Sequence, residues 1–120
     1  MAVTLLNILT NKEGGEKNQM GNRIKLHELL CDVLGSRNVY FQPPASVQMK
    51  YPAIVYGLED IENTFANDGV YLSQRKYSVT VIDEDPDSPI VGKVASLPSC
   101  RFNRHFESDN LNHDVFILQF

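Results

Sequence analysis

The chain has 120 residues, of which 42% are hydrophobic and 22% charged. This composition suits one folded domain and excludes a disordered or fibrous chain. Fifteen acidic residues against 11 basic ones give a net charge of -4, which disfavours general binding to nucleic-acid backbones. Cys31 and Cys100 are far apart and form no CxxC pattern, so a disulfide scaffold is not indicated. No apolar run approaches the roughly 20 residues that cross a bilayer, and the start lacks the features of a secretory signal. We therefore expect synthesis in the cytoplasm and no membrane partner.

The first part of the chain differs in composition from the rest. A short apolar run at 3–9 is followed by a polar stretch at 11–19 that contains Gly14 and Gly15. We interpret residues 1–21 as an N-terminal arm or extension, which either docks on the domain or precedes it as an addition. Residues 22–120 are then the folded domain.

Two segments are predicted to be helical. The first begins at Asn22 as a candidate N-cap and stops at Gly35. Its apolar residues recur at helical spacing: Leu26, Leu29, Leu30, Val33 and Leu34. The second opens with Ser88 as N-cap and Pro89 as first helical residue, and it ends before Pro98. Its predicted apolar face consists of Ile90, Val91, Val94 and Leu97.

The remaining segments are typical of strands. A short one at 38–42 ends at Pro43 and Pro44, and the others lie at 51–58, 70–83, 99–106 and 112–120. Between them, 61–69 is polar and ends in the turn signal Asn67-Asp68-Gly69, and Asp109-Asn110 forms the last turn. Alternation places Cys100, Phe102, Arg104 and Phe106 on one face. The order of elements predicts a single α+β domain, a mostly antiparallel sheet of about four to five strands with two helices on one face.

No catalytic, cofactor-binding or metal-binding motif is legible in the sequence. Phosphate-binding glycine loops, a nucleophile elbow and a Cys/His ligand quartet are all missing. The acidic cluster Asp83, Glu84, Asp85 and Asp87 is open to two interpretations. Closely spaced carboxylates hold Mg²⁺ or Ca²⁺, and together with His113 they permit a small metal-dependent enzyme. The favoured interpretation is a solvated turn at the start of a helix, where negative charge is stabilised.

Four sequence patterns in this order carry a resemblance to a known family. They are the run 39–44 with its two prolines, the segment 51–56, the alternating strand 77–82 with its acidic turn, and the segment 109–116 leading to an aromatic end. From about Asn22 to Phe120 the chain resembles the small tail terminator and head-tail joining (tail completion) proteins of long-tailed bacteriophages. Residues 1–19 have no counterpart in that comparison.

The resemblance implies a structural protein of the virion, made in the host cytoplasm, without an active site or cofactor. Its expected partners are further copies of itself in a hexameric ring, the tail tube protein and a neck or head-completion protein. DNA would pass through the ring without specific binding. A head-completion role on the portal side is the alternative within this class.

A ring that lets DNA pass is better served by a neutral or acidic lumen than by a basic one. We therefore expect the carboxylates of the acidic cluster to face the channel or a subunit seam. The basic residues expected at such a seam are Arg75, Arg101 and Arg104.

Overall fold

The computed structural model describes the backbone of residues 15–65 and 71–120 and the side chains of 22–61 and 74–120. Two helices and five strands follow one another in the predicted order. Their bounds are α1 Gly15–Leu34, β1 Val39–Phe41, β2 Ala53–Phe65, β3 Tyr71–Asp83, α2 Pro89–Ala95, β4 Cys100–Ser108 and β5 Leu111–Gln119. Neither helix in this part of the chain is long and apolar enough to cross a bilayer.

The strands form one sheet in the order β1-β2-β3-β5-β4. Only the β1–β2 pair is parallel, and the other three pairs are antiparallel. Both helices lie on one face of this sheet, so the predicted α+β class and the mostly antiparallel sheet are confirmed. We call this side the helix face and the opposite side the open face.

The start of α1 differs from its prediction. The helix begins at Gly15, so Asn22 lies inside it and is not its N-cap. Gly35 ends it as predicted, with a positive φ of 83° and an N–H that donates to the carbonyl of Cys31 at 2.8 Å, a left-handed cap that suits glycine. Residues 1–14 of the predicted arm lie outside the described residues, and the boundary at residue 21 stays a prediction.

The core lies between the two helices and the central strands. Leu26 and Leu30 of α1 and Val94 of α2 are fully buried. From the sheet, the residues facing them include Ile54, Tyr56, Val79, Val81, Phe116 and Leu118. Ser88 caps α2 as predicted, because its side-chain oxygen accepts from the N–H of Ile90. The helical spacing in the sequence thus identified the buried side of both helices.

A bulge in β4 overturns the predicted arrangement of its side chains. Phe102 pairs with Phe116, but the next partner of β5, Val115, pairs with Arg104 instead of residue 103. One extra residue in a strand reverses the alternation beyond it. Cys100 and Phe102 therefore lie on the helix face, whereas Arg104 and Phe106 lie on the open face, and the expectation of one shared face is wrong.

The hairpin of β2 and β3 is longer than predicted. The polar segment 61–65 continues β2, and it pairs with 71–75 of β3. Of the described strands, β1 pairs β2 only at 54–56 and β5 pairs β3 only at 76–83. The outer part of the hairpin is thus a two-stranded extension beyond the sheet. The predicted turn at 67–69 lies outside the described residues.

Candidate functional site

The open face carries a groove of about 330 Å³ beneath the segment that follows β1. Two hydrogen bonds hold this segment at its ends. The Gln42 side-chain oxygen accepts from the Leu58 N–H at 3.0 Å, and the Tyr40 hydroxyl accepts from the Lys50 N–H at 3.3 Å. The groove is lined by residues 43–45, Val47 and Met49 from the segment and by Val55, Ser78, Thr80, Ile82, Arg104, Phe106, His113 and Val115 from the sheet.

The close approach of Gln42 to β2 depends on a glycine. A Cβ placed on Gly57 would lie 3.1 Å from the Cγ of Gln42, closer than ordinary van der Waals contact. Gly57 thus leaves room for the Gln42 side chain to reach the Leu58 N–H next to it. This contact holds the start of the segment against β2.

Arg104, Phe106 and His113 form a stack at one wall of the groove. The ring of Phe106 lies parallel to that of His113, with centroids 4.5 Å apart, and the Arg104 guanidinium lies 5.0 Å from the centre of the Phe106 ring. A cation over an aromatic face is attracted by the ring's quadrupole. His113 also contacts the backbone oxygen of Leu111 at 3.1 Å. The stack offers a flat, partly exposed aromatic surface with one positive charge.

The acidic cluster forms the connection from β3 to α2. Asp83 accepts from the backbone N–H of Asp85, and Asp85 accepts from that of Asp87, at 3.1 and 2.9 Å. Such bonds from a carboxylate to the backbone two residues on stabilise turns. The side chains from Glu84 to Asp87 are exposed, as the favoured interpretation expected. The helix cap itself is Ser88, and no acidic residue lies in the first turn of α2.

The three arginines predicted to share a seam with the cluster lie in different places. Arg101 and Arg104 are exposed on the open face of β4, opposite Ile117 and Val115. Arg75 lies in the hairpin extension, and strand alternation puts it on the other side. Among the described side chains, no ion pair joins the acidic cluster to any of them. Within one subunit, therefore, these opposite charges are separate.

The part of the chain that the structure describes contains no group of three His, Cys, Asp or Glu side chains placed to hold a metal ion. The metal-dependent alternative required the acidic cluster and His113 to converge. The His113 ring instead stacks on Phe106. Cys31 is buried in the core and Cys100 is half-buried, and burial raises the pKa of both thiols, which disfavours the reactive thiolate.

A polar cluster connects α1 to the sheet on the helix face. Arg23 donates to the Tyr56 hydroxyl at 3.3 Å, and His27 Nδ1 lies 2.8 Å from the same oxygen. Because the hydroxyl already accepts from Arg23, its own proton is available for Nδ1, which suits a neutral His27. Burial lowers the pKa of His27, and the charges of Arg37 and Arg23 lower it further.

No family model matches this chain, and no curated protein matches it.

Two features of these surfaces were missed by the sequence reasoning. The stack of Arg104, Phe106 and His113 depends on the β4 bulge, and nothing in the residues around Asn103 signals a bulge there. The contact between His105 Nδ1 and the Asp114 carboxylate, at 2.7 Å, depends on the same register. The hairpin itself was predicted from the residue pair Asp109-Asn110. Both residues adopt positive φ, the conformation of a two-residue turn that favours these residue types.

Proposed function

We propose that this chain is a structural protein of a long-tailed bacteriophage virion, located where the tail meets the neck. It forms a hexameric ring at the head-proximal end of the tail, terminates the tube and joins it to the neck. Two things support this proposal: the ordered series of sequence patterns from about Asn22 to Phe120, and a fold whose free surfaces suit contacts between copies.

The hairpin extension is the observation that carries the proposal. Its outer part has only two strands, and a two-stranded ribbon is marginally stable in water. Leu58 and Ile61, at its base, are each 41% exposed. An element of this kind is stabilised when a neighbouring molecule packs against it, as happens in an assembly whose contacts close into a ring.

The charge distribution supports free passage of DNA. The carboxylates from Glu84 to Asp87 are exposed at one end of the sheet. Asp83 pairs with Asn112 of β5, and Arg101 pairs with Ile117 of the same strand. Five residues along a strand correspond to about 17 Å, so Arg101 lies far from the acidic cluster of its own subunit. In a ring, the acidic cluster on one subunit can meet Arg101 on the next, or it can face the lumen and repel phosphate groups.

The test is negative-stain imaging of the purified protein alone and mixed with phage tail tubes. We expect rings, or density that caps one end of each tube. The matched variant replaces residues 61–75 by Asn-Gly, a two-residue turn that joins the shortened strands. It removes the extension but keeps every core strand, so we expect it to fold and to lose ring formation and capping.

Three results would count against the proposal. A protein that ignores tubes and binds filled heads has the head-completion role on the portal side. One that ignores both is not a tail or neck component. If the shortened variant caps tubes as well as the full chain, the extension is not the assembly contact. Circular dichroism of the variant establishes that its fold is intact.

A further inference from the structure

The two edges of the sheet are protected to different degrees. The β1 edge has three residues and is ended by Pro43 and Pro44, which is how natural proteins block strand addition. The β4 edge has nine residues, contains no proline, and is exposed from Arg101 to Ser108. Among the described strands, none pairs with its outer side. The bulge at Asn103 interrupts this edge, but the stretch 104–108 beyond it is a template for pairing with another strand.

The turn at Asp109-Asn110 determines which backbone groups of β4 point outward. In a two-residue hairpin the flanking residues, here Ser108 and Leu111, exchange hydrogen bonds with each other. Alternation along the strand then turns the backbone groups of Phe106 inward to β5. The backbone groups of His105 and Glu107 face outward, where an added strand can bond to them.

The bulge restricts how a second β4 can pair with the first. Directly opposed residues must lie on the same face, and the face changes at Asn103. An antiparallel pairing is therefore regular only within 104–108. A two-fold axis through Arg104 or Glu107 would place that charged residue opposite its own copy. An axis through His105 would pair Glu107 with Asn103, which lies in the bulge. An axis at Phe106 pairs all five residues from 104 to 108.

We propose that β4 pairs antiparallel with β4 of a second copy of this chain, about a two-fold axis at Phe106. Each His105 then lies opposite Glu107 of the other copy, and these two residues exchange both backbone hydrogen bonds. Phe106, which is 36% exposed, meets its equivalent in the closely spaced type of pair, with Cα atoms about 4.5 Å apart.

The open face supports this axis. Each Phe106 ring already stacks on His113 of its own chain, so pairing produces a continuous row of four rings across the axis. Arg104 lies opposite Ser108, which leaves its guanidinium over the Phe106 ring. The result is one sheet that runs through both copies and covers the β4 edge of each.

This pairing is independent of the proposed function. A two-fold contact closes with two copies, so it uses a different surface from the contact that closes a ring. Where rings also form, the β4 pairing would join two of them. Removal of the hairpin extension should therefore abolish ring formation and tube capping, whereas disruption of the β4 pairing should abolish the two-fold association.

The first experiment is sedimentation of the purified chain over a range of concentrations, with edge variants. We expect a concentration-dependent dimer, or paired rings if rings form. Phe106→Asp, which would place two carboxylates opposite each other at the axis, should weaken the pairing at least tenfold. The matched control is Phe102→Asp, because Phe102 is 54% exposed on the same strand but lies beyond the bulge. It should leave the pairing intact.

The second experiment tests the register. Phe106→Cys should give a covalent dimer under mild oxidation, because only residues at the axis meet their own equivalents. Phe102→Cys, with the same native cysteines, should not. Any of three results would overturn the proposal: no two-fold association at any concentration, association that Phe106→Asp leaves unchanged, or crosslinking through residue 102 in preference to 106.

Discussion

The two faces of the sheet are built from the same strands but differ in what covers them. On the helix face, Ile54, Val79 and Phe116 are fully buried beneath α1 and α2. On the open face, their neighbours Val55, Thr80 and Ile117 are only partly covered, and the segment after β1 shields one region. The comparison indicates that the helix face supplies most of the stability, whereas the open face and the β4 edge are available to other molecules.

The largest expected difference is between two phenylalanines of the β4–β5 hairpin. Phe116→Ala empties a fully buried site on the helix face, and we expect it to lower the free energy of unfolding by about 3–5 kcal/mol. Phe106→Ala, on the open face, should cost about 1 kcal/mol, because the ring is already more than a third exposed. Urea unfolding of dilute protein measures both. Equal losses would contradict the division of roles between the faces.

Much of this division could be predicted from the sequence. The helical spacing of Leu26 and Leu30 and the alternation of Phe116 and Leu118 identified side chains that the structure buries. The capping residues Ser88 and Gly35 were also identified, because each satisfies a local backbone requirement. Periodicity and capping depend on neighbours close in sequence, so a single chain reveals them.

The open face could not be predicted in the same way. Its composition depends on the bulge at Asn103 and on pairing between strands distant in sequence, such as β1 with β2. The start of α1 was missed because 15–21 lack the apolar spacing used to recognise helices. The edge at β4 follows from the order of strands in the sheet, which no local pattern encodes.

A smaller difference is expected between two tyrosine hydroxyls, one on each face. Tyr56 is 1% exposed, and its hydroxyl bonds with Arg23 and His27. Tyr56→Phe should lower the free energy of unfolding by about 1 kcal/mol, because it leaves two partly buried partners without this hydrogen bond. Tyr40→Phe removes only a bond from the exposed backbone of Lys50 and should cost less. A larger effect at Tyr40 would show that the segment over the groove stabilises the fold.

The smallest expected effect is a pH dependence that originates on the helix face. The pKa of His27 is lowered, chiefly by burial and then by Arg37 and Arg23, while Glu28 opposes the shift. The folded state therefore binds a proton less readily than the unfolded chain, whose histidines titrate at about 6.5. The resulting stability is present above that pH and is lost as the pH falls through the pKa of the folded state.

Thermal unfolding between about pH 7.5 and pH 5 measures this loss. His27→Gln should flatten the dependence, because the group that titrates is gone. Glu28→Gln should steepen it, since it removes the one charge that favours the protonated imidazole. Opposite changes from two adjacent positions separate the titration of His27 from a general effect of acid on the fold. If His27→Gln leaves the pH dependence of stability unchanged, the pH-sensitive group lies elsewhere. The polar cluster on the helix face would then not be the source of the pH dependence.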